Sequence, residues 1–290
     1  MSHPTVRSIL VAALGGEGGG VLADWLVRCA QHVGLAVQAT SVPGVAQRTG
    51  ATSYYLEWSR QPVPSIQARP VLALSPVPAR MDVVIASEGL EAARMMERGF
   101  VTPDRTLLIA STSRVYTTVE KMHMKDGRFD STRIESLAKT LARQAILFDM
   151  DEVTRAHNTV VSAVMFGALC GAQVLPWEAS VCEEVIRASG KGVEASLAGF
   201  QAARALAAAS RSGQSSFGQE SKVRDPAWQQ VVALGALRCE DYQDPAYAQE
   251  FLQKTAAVAR TFAEEGPHME VWTEAARHLA LWMCYEDVIR

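Results

Sequence analysis

The feature that most constrains this chain is an uninterrupted apolar run that leads directly into a cluster of glycines. Residues 9–14 contain no polar side chain, which predicts a strand buried on both faces, as in a parallel sheet covered by helices. Apolar residues then recur at helical spacing over residues 21–33. Between the two segments lie five glycines: Gly15, Gly16, Gly18, Gly19 and Gly20. The pattern therefore predicts a βα unit in which a glycine turn faces the start of a helix.

Such a turn has two interpretations. The first amides of a helix have no internal partners and the helix dipole is positive there, so one interpretation is a phosphate cradle. The other is a tight turn that only seats the helix on the sheet. The spacing fits G-x-G-x-x-G poorly, and the second predicted strand, residues 36–42, ends without the Asp or Glu that binds a ribose. We also expect the Glu17 carboxylate to compete with a phosphate for the helix amides.

A second polar loop follows the second predicted strand. It contains three polar side chains and a glycine: Gln47, Arg48, Thr49 and Gly50. A loop at the carboxyl end of a strand in an open α/β sheet lies at the edge that binds ligands, beside the first glycine turn. Arg48 is the candidate to offset Glu17 or to hold a carboxylate or phosphate. The alternative is a solvated turn with an ordinary surface ion pair.

Strand and helix signals alternate as far as residue 209, which predicts an α/β fold. We expect a Rossmann-like, open, mostly parallel sheet with helices on both faces, followed by a small all-α C-terminal region. Further strands are predicted at residues 52–58, 71–74, 81–86, 106–110 and 145–150. The predicted domains are residues 1–209, a Gly/Ser-rich linker at 210–224, and a helical region at 225–290.

Composition excludes several classes of function. A net charge of -3 and a pI near 6.1 give no electrostatic basis for binding nucleic acid or an anionic membrane. No apolar run is long enough to span a bilayer, and the N-terminus lacks an apolar signal region, so we expect a cytoplasmic protein.

The residues that could carry chemistry are few. The five cysteines form no C-x-x-C pair, so we expect no iron–sulfur cluster, no metal site, and inert core thiols. No histidine has a recognisable catalytic spacing to Cys, Asp or Ser. We therefore assign no catalytic residue to this chain.

Five long segments carry a family resemblance. They are ALGGEGGGVLADW, SVPGVAQRTGATSYYLEW, PVLALSPVP, ASEGLEAARMMERGFVTPDRTLLIAST and ARHLALWMCYEDVIR. Together they closely resemble the beta subunit of indolepyruvate oxidoreductase, which is the gamma module of the 2-oxoacid:ferredoxin oxidoreductase family. The resemblance covers nearly the whole chain. Relatives carry Gln at the position of Glu17 and many have QRGG where this chain has QRTG, and they continue beyond its last residue.

The resemblance implies a subunit of a heteromeric complex that is inactive alone. The family oxidatively decarboxylates arylpyruvates to acyl-CoA during aromatic amino-acid degradation. It uses thiamine diphosphate with Mg²⁺, and iron–sulfur clusters pass electrons to an external acceptor. This chain has neither a GDG motif nor cysteine runs, so these cofactors are expected on a larger partner subunit. The resemblance implies that this chain supports the partner and contacts CoA, through the glycine turn and residues 47–50.

Two other classes of function remain open. The glycine turn is compatible with an autonomous NAD(P)-binding oxidoreductase, although the ribose carboxylate is missing. The helical tail with its tryptophans is compatible with a non-catalytic scaffold protein.

Overall fold

The structure, a computed structural model, describes residues 6–42, 51–63, 70–114, 131–190, 192–212, 228–262 and 269–284. The chain divides into two compact units, Met1–Phe217 and Gly218–Arg290. The predicted linker lies largely outside the described residues, and the predicted domain boundaries stay a prediction.

Six strands form the sheet of the first unit. They are β1 Val6–Leu14, β2 Val37–Val42, β3 Ala51–Ser59, β4 Val83–Ala86, β5 Leu107–Ser111 and β6 Gln144–Phe148. Their order is β2-β3-β1-β4-β5-β6. The pairs β1–β4, β4–β5 and β5–β6 are parallel, whereas β3 runs antiparallel to both β2 and β1. The predicted open, mostly parallel sheet is confirmed, with β3 reversed inside it.

Ten helices occur in the described parts of the chain. The first unit contains α1 Gly19–His32, α2 Gly89–Glu97, α3 Ser131–Leu141, α4 Met150–Ala156, α5 Val161–Gly171, α6 Ala179–Ala188 and α7 Val193–Ser212. The second contains α8 Trp228–Tyr242, α9 Pro245–Phe262 and α10 Met269–Met283. Among the helical residues that the structure describes, none forms a segment apolar and long enough to cross a bilayer.

The strand β1 is buried on both faces, as its unbroken apolar sequence predicts. Ile9 and Val11 belong to the core that includes residues of α1, α5 and α7. Leu10 and Ala12 point into the opposite core, with residues of α2 and α3. All four side chains are at most 1% exposed. Helices therefore cover both faces of the sheet at its centre, which is the predicted arrangement.

The helices α5 and α7 approach each other unusually closely. A Cβ on Gly167 would lie 2.1 Å from the backbone oxygen of Phe200, and a Cβ on Gly171 would lie 2.2 Å from that of Arg204. Only glycine leaves space for backbone contact at these two positions. This contact packs α5 directly against α7.

The predicted strand at residues 71–74 is wrong, and the predicted strand at residues 145–150 is too long. No strand forms at residues 71–74, because side chains from the sheet bind this segment in place of a strand ladder. The Ala73 amide donates to Glu57 Oε2 at 2.6 Å, and Thr40 Oγ1 donates to the Leu74 carbonyl at 2.8 Å. The last strand ends at Phe148 rather than residue 150. There the Asp149 carboxylate accepts a hydrogen bond from the Glu152 amide and begins α4.

The second unit packs its three helices around Phe251, which is fully buried. A Cβ on Gly235 of α8 would lie 2.5 Å from the Phe251 ring, so glycine lets α8 approach this side chain. The indole nitrogen of Trp272 donates to the Thr255 carbonyl at 3.3 Å and joins α10 to α9.

Candidate functional site

The turn between β1 and α1 shows why glycines occupy it. Gly16 and Gly18 have φ angles of 94° and 82°, a left-handed backbone that favours glycine. Gly19 is required for another reason, because a Cβ there would lie 2.6 Å from the Tyr54 ring. A Cβ on Gly20 would approach only to 3.4 Å, from the Tyr54 hydroxyl. Tight turning and the seating of α1 therefore account for three of the five glycines.

Glu17 closes this turn and does not cap the helix. Its carboxylate accepts hydrogen bonds from the Leu14 amide, at 3.1 Å, and from the Ser87 hydroxyl at the end of β4. The residue before α1, Gly18, supplies no capping side chain. The carboxylate is thus bound at the end of β1 and to Ser87. Because Glu17 also lines the cleft described below, its expected competition with a phosphate stays a prediction.

The acidic residues Glu17, Glu88 and Glu91 lie near the point where the chain changes from one face of the sheet to the other. The chain leaves β1 through α1 on one face and leaves β4 through α2 on the other. Such a point at the carboxyl ends of parallel strands is where open α/β sheets bind ligands. Here the Glu88 carboxylate begins α2 by accepting the Glu91 amide at 2.7 Å.

Glu91 is a buried carboxyl group at this position, with 1% of its surface exposed. Its Oε1 accepts a hydrogen bond from Arg94 at 2.5 Å, while Oε2 has no partner among the described residues. Burial raises the pKa of Glu91 to about 7 despite the favourable charge of Arg94, and the nearby Glu88 and Glu17 raise it further. The folded protein therefore binds a proton here that the unfolded chain releases at lower pH.

This proton predicts a pH dependence of stability. Because the folded pKa lies above the ordinary value of 4.5, the contribution of Glu91 is greatest below that pH and is lost as pH rises through about 7. We expect Glu91→Gln to be more stable than the parent chain at pH 8, by up to about 3 kcal/mol. Near pH 4.5 the two proteins should be similar. Urea unfolding across this range measures the difference.

The exposed Glu97, on the same helix, provides the control. Glu97→Gln should change stability little, at either pH. A Glu91→Gln variant that is equally destabilised at both ends of the pH range would contradict the prediction.

A cleft of about 1100 Å³ opens beside the glycine turn. Gly16, Gly18 and Gly20 line one side of it, whereas Gly15 and Gly19 are not lining residues. Residues 158–162, which lead into α5, line another side, and Gly192, Ala195 and Ser196 at the start of α7 line a third. The sequence predicts the first side only.

Three helices begin at this cleft. Gly18 precedes α1, Val160 precedes α5 and Gly192 precedes α7, and all three residues line the cleft. Neither Gly18 nor Val160 supplies a capping side chain. The first amides of a helix have no internal partners, and each helix dipole places partial positive charge at this end. The cleft therefore suits an anionic group such as a phosphate.

Three hydroxyl side chains lie beside these helix starts: Thr159, Ser162 and Ser196. Ser162 and Ser196 are only 1% and 5% exposed. None of the three hydroxyls has a hydrogen-bond partner in the part of the chain that the structure describes. Buried polar groups normally have partners, so a set of free hydroxyls along a cleft indicates a ligand that accepts or donates hydrogen bonds.

The carboxylates that line the cleft have partners of their own. Asp24 pairs with Arg28 at 2.8 Å, and Asp151 pairs with Arg155 at 3.1 Å. Glu17 is bound to the end of β1 and to Ser87. These contacts leave the amides and hydroxyls as the groups available to an anion.

The hydroxyls were missed in the sequence because they belong to segments distant from the glycine turn. The available signal in the sequence was the pair of glycines at positions 190 and 192. In the structure, Gly190 and Gly192 have φ angles of 75° and 58°. Gly190 lies just after the end of α6, and Gly192, which lines the cleft, directly precedes α7.

The second predicted site segment lies outside the described residues. Gln47, Arg48, Thr49 and Gly50 all fall within residues 43–50, so their predicted role stays a prediction. The described residues on either side fix where the segment starts and ends. Val42 pairs with Ser53, and Ala51 pairs with Leu14 at the end of β1, directly before the glycine turn.

The cysteines of the first unit lie in its helical layer. Cys29 and Cys182 are fully buried, and the Trp177 indole donates to the Cys182 sulfur at 3.3 Å. Across the described ranges, no group of three or more His, Cys, Asp or Glu side chains is arranged to hold a metal ion.

Comparison with solved structures relates the fold to known proteins. 2-Oxoglutarate:ferredoxin oxidoreductase from Magnetococcus marinus, solved with 2-oxoglutarate, coenzyme A and succinyl-CoA bound, is 17% identical with a TM-score of 0.51. The match covers 81% of this chain but only 37% of that protein. At this identity the likeness shows the fold alone.

Two smaller proteins match with lower scores. A pyruvate oxidoreductase subunit from Thermotoga maritima is 14% identical with a TM-score of 0.47, over 70% of this chain and 95% of its own. The gamma subunit of a keto/oxoacid ferredoxin oxidoreductase from Geobacter sulfurreducens is 13% identical with a TM-score of 0.47. This match covers 71% of this chain and 98% of that subunit.

Sequence comparison gives the family directly. No protein of curated function matches the chain. Residues 228–290 match a family of unknown function, DUF6537. Residues 8–206 match the pyruvate ferredoxin/flavodoxin oxidoreductase family, and this region contains the sheet, the glycine turn and the cleft. Because this match spans more than half of the sequence, the chain belongs to the pyruvate ferredoxin/flavodoxin oxidoreductase family.

Proposed function

We propose that this chain is a subunit of a thiamine-diphosphate-dependent 2-oxoacid oxidoreductase that acts on indolepyruvate and related arylpyruvates. The complex decarboxylates the oxoacid and forms an acyl-CoA, and this chain is inactive without its larger partner subunit. Family membership supports the reaction class. The arylpyruvate preference rests on the resemblance of the long sequence segments to the indolepyruvate enzymes.

The contribution of this chain is to bind CoA, and the cleft is the observation that carries this proposal. CoA has a pyrophosphate and a ribose phosphate, and anions of this kind suit the starts of α1, α5 and α7. The free hydroxyls of Ser162 and Ser196 supply further hydrogen bonds to phosphate oxygens. The relative from Magnetococcus marinus was solved with CoA bound, which is consistent with this ligand.

The cofactors belong to the partner in this proposal. Thiamine diphosphate with Mg²⁺ supplies the decarboxylation chemistry, and iron–sulfur clusters supply the path for electrons to an external acceptor. The residues of this chain hold the CoA phosphates and orient the thiol end toward the partner. The phosphates do not react, but the energy gained by binding them positions the reactive thiol of CoA.

Co-purification with the neighbouring gene product tests the proposal. Indolepyruvate oxidation is measured with thiamine diphosphate, CoA and a viologen dye, for the isolated chain and for the complex. We expect activity and the brown colour of iron–sulfur clusters only in the complex, with a rate that saturates with CoA.

Two outcomes would replace the proposal by another function. Oxidation by the isolated chain with NAD(P) would indicate an autonomous NAD(P)-binding oxidoreductase. A stable complex that forms with the partner, together with equal activity of the partner with and without this chain, would indicate a non-catalytic scaffold protein.

A further inference from the structure

Two cysteines of the second unit have their sulfur atoms in contact. Cys239 lies on α8 and Cys284 directly follows α10, and their Sγ atoms are 3.7 Å apart. Cys239 is fully buried and Cys284 is 7% exposed. A disulfide has an S–S distance of about 2.0 Å, so the two sulfur atoms must move closer together to form the bond.

The surroundings hold this pair together. Both cysteines belong to the core around Phe251, with Ala248 and Ala280. The Tyr247 hydroxyl donates to the Met283 carbonyl at 2.7 Å and fixes the backbone directly before Cys284. The two thiols therefore stay close together in the folded unit, which gives them a high effective concentration.

We propose that Cys239 and Cys284 are a redox-sensitive pair that small disulfides such as oxidised glutathione convert to an internal disulfide. The Cys284 thiolate attacks the oxidant, forms a mixed disulfide and releases one reduced thiolate. The Cys239 thiolate then attacks the Cys284 sulfur and releases the second. Two protein thiols lose two electrons and two protons, and one disulfide molecule is reduced to two thiols.

This bond would connect the end of α10 to α8 across a separation of 45 residues. Closing a loop of this size restricts the unfolded chain and stabilises the folded helices. It also immobilises the helix end that carries Trp282, whose side chain is 80% exposed. The oxidation state of the pair thus controls the rigidity of the second unit.

The chemistry predicts slow oxidation at neutral pH. Burial and the hydrogen bond with Cys284 raise the pKa of Cys239 above its ordinary value, so few molecules carry its thiolate at pH 7. The rate of bond closure should therefore rise about tenfold per pH unit between pH 7 and 9.

The test uses the full chain, reduced and then incubated with oxidised glutathione before free thiols are alkylated. We expect mass spectrometry to show two fewer alkylated cysteines, no bound glutathione, and a cross-linked peptide that joins Cys239 to Cys284. Melting of the second unit should shift upward by roughly 10 °C or more. Reduction with dithiothreitol should reverse both changes.

The variants Cys239→Ser and Cys170→Ser make the test specific. In Cys239→Ser, Cys284 should retain a stable glutathione adduct, because the second thiolate is missing. Cys170→Ser should form the Cys239–Cys284 bond as the parent chain does. Recovery of both thiols unmodified in the parent chain, a persistent glutathione adduct on it, or a cross-link between other cysteines would overturn the proposal.

Discussion

Replacing Gly167 by Ala is expected to destabilise the first unit by about 3 kcal/mol, at the upper end of the usual cost of overpacking. The added methyl group would meet the backbone oxygen of Phe200 at 2.1 Å, and a backbone atom cannot rotate away as a side chain can. The helices α5 and α7 would have to separate, which loosens the contacts of Phe166 and Phe200 in the core. Urea unfolding of the full chain measures the loss.

Gly20→Ala is the matched control. Its Cβ would lie 3.4 Å from the Tyr54 hydroxyl, and the position is inside a helix, where Ala is favoured over Gly by about 1 kcal/mol. We therefore expect unchanged or slightly increased stability. Equal stability of Gly167→Ala and the parent chain would contradict the close packing of α5 against α7.

Replacing Ala195 by Asp is expected to raise the KM for CoA of the assembled complex at least tenfold. Ala195 lies in the first turn of α7 and lines the cleft, so the carboxylate would face the phosphates that we assign to it. Two unit charges about 5 Å apart repel by about 3 kcal/mol at an effective dielectric constant of 20. Solvent in the open cleft weakens this repulsion. We therefore expect an increase in KM of at least tenfold, which requires less than half of the repulsion.

The fold should tolerate this change, since Asp is favoured in the first turn of a helix. Ala195→Asn provides the control, because it has nearly the same shape without the charge. We expect Ala195→Asn to raise KM much less than Ala195→Asp, with similar stability for both variants. Calorimetric titration of the complex with CoA gives the affinity separately from turnover. Equal KM values for the two variants would exclude phosphate binding at the start of α7.

The parts of the fold that follow from short segments were predictable. A strand buried on both faces needs apolar residues at every position, and residues 9–14 have them. The glycine turn was equally visible, because left-handed φ angles such as that of Gly16 favour glycine. The antiparallel pairing of β3 could not be predicted, since the sequence of a strand does not determine the direction of its neighbours.

Side-chain partners distant in the chain decided the remaining details. The segment at residues 71–74 has the composition of a strand but binds side chains from β2 and β3. The sequence places the Glu17 carboxylate beside the helix amides, whereas in the structure it accepts a hydrogen bond from Ser87, 70 positions away. A local pattern cannot contain either contact.

The sequence by itself determined the α/β class, the central buried strand and the glycine turn, because each depends on the character of consecutive residues. Only the tertiary structure decided where the anion-binding groups meet. Gly18, Ser162 and Ser196 are far apart in the chain, and only the folded chain places them along one cleft, where α5 packs closely against α7. A cleft built from three helix ends exists only after the core has formed, so no single stretch of sequence specifies it.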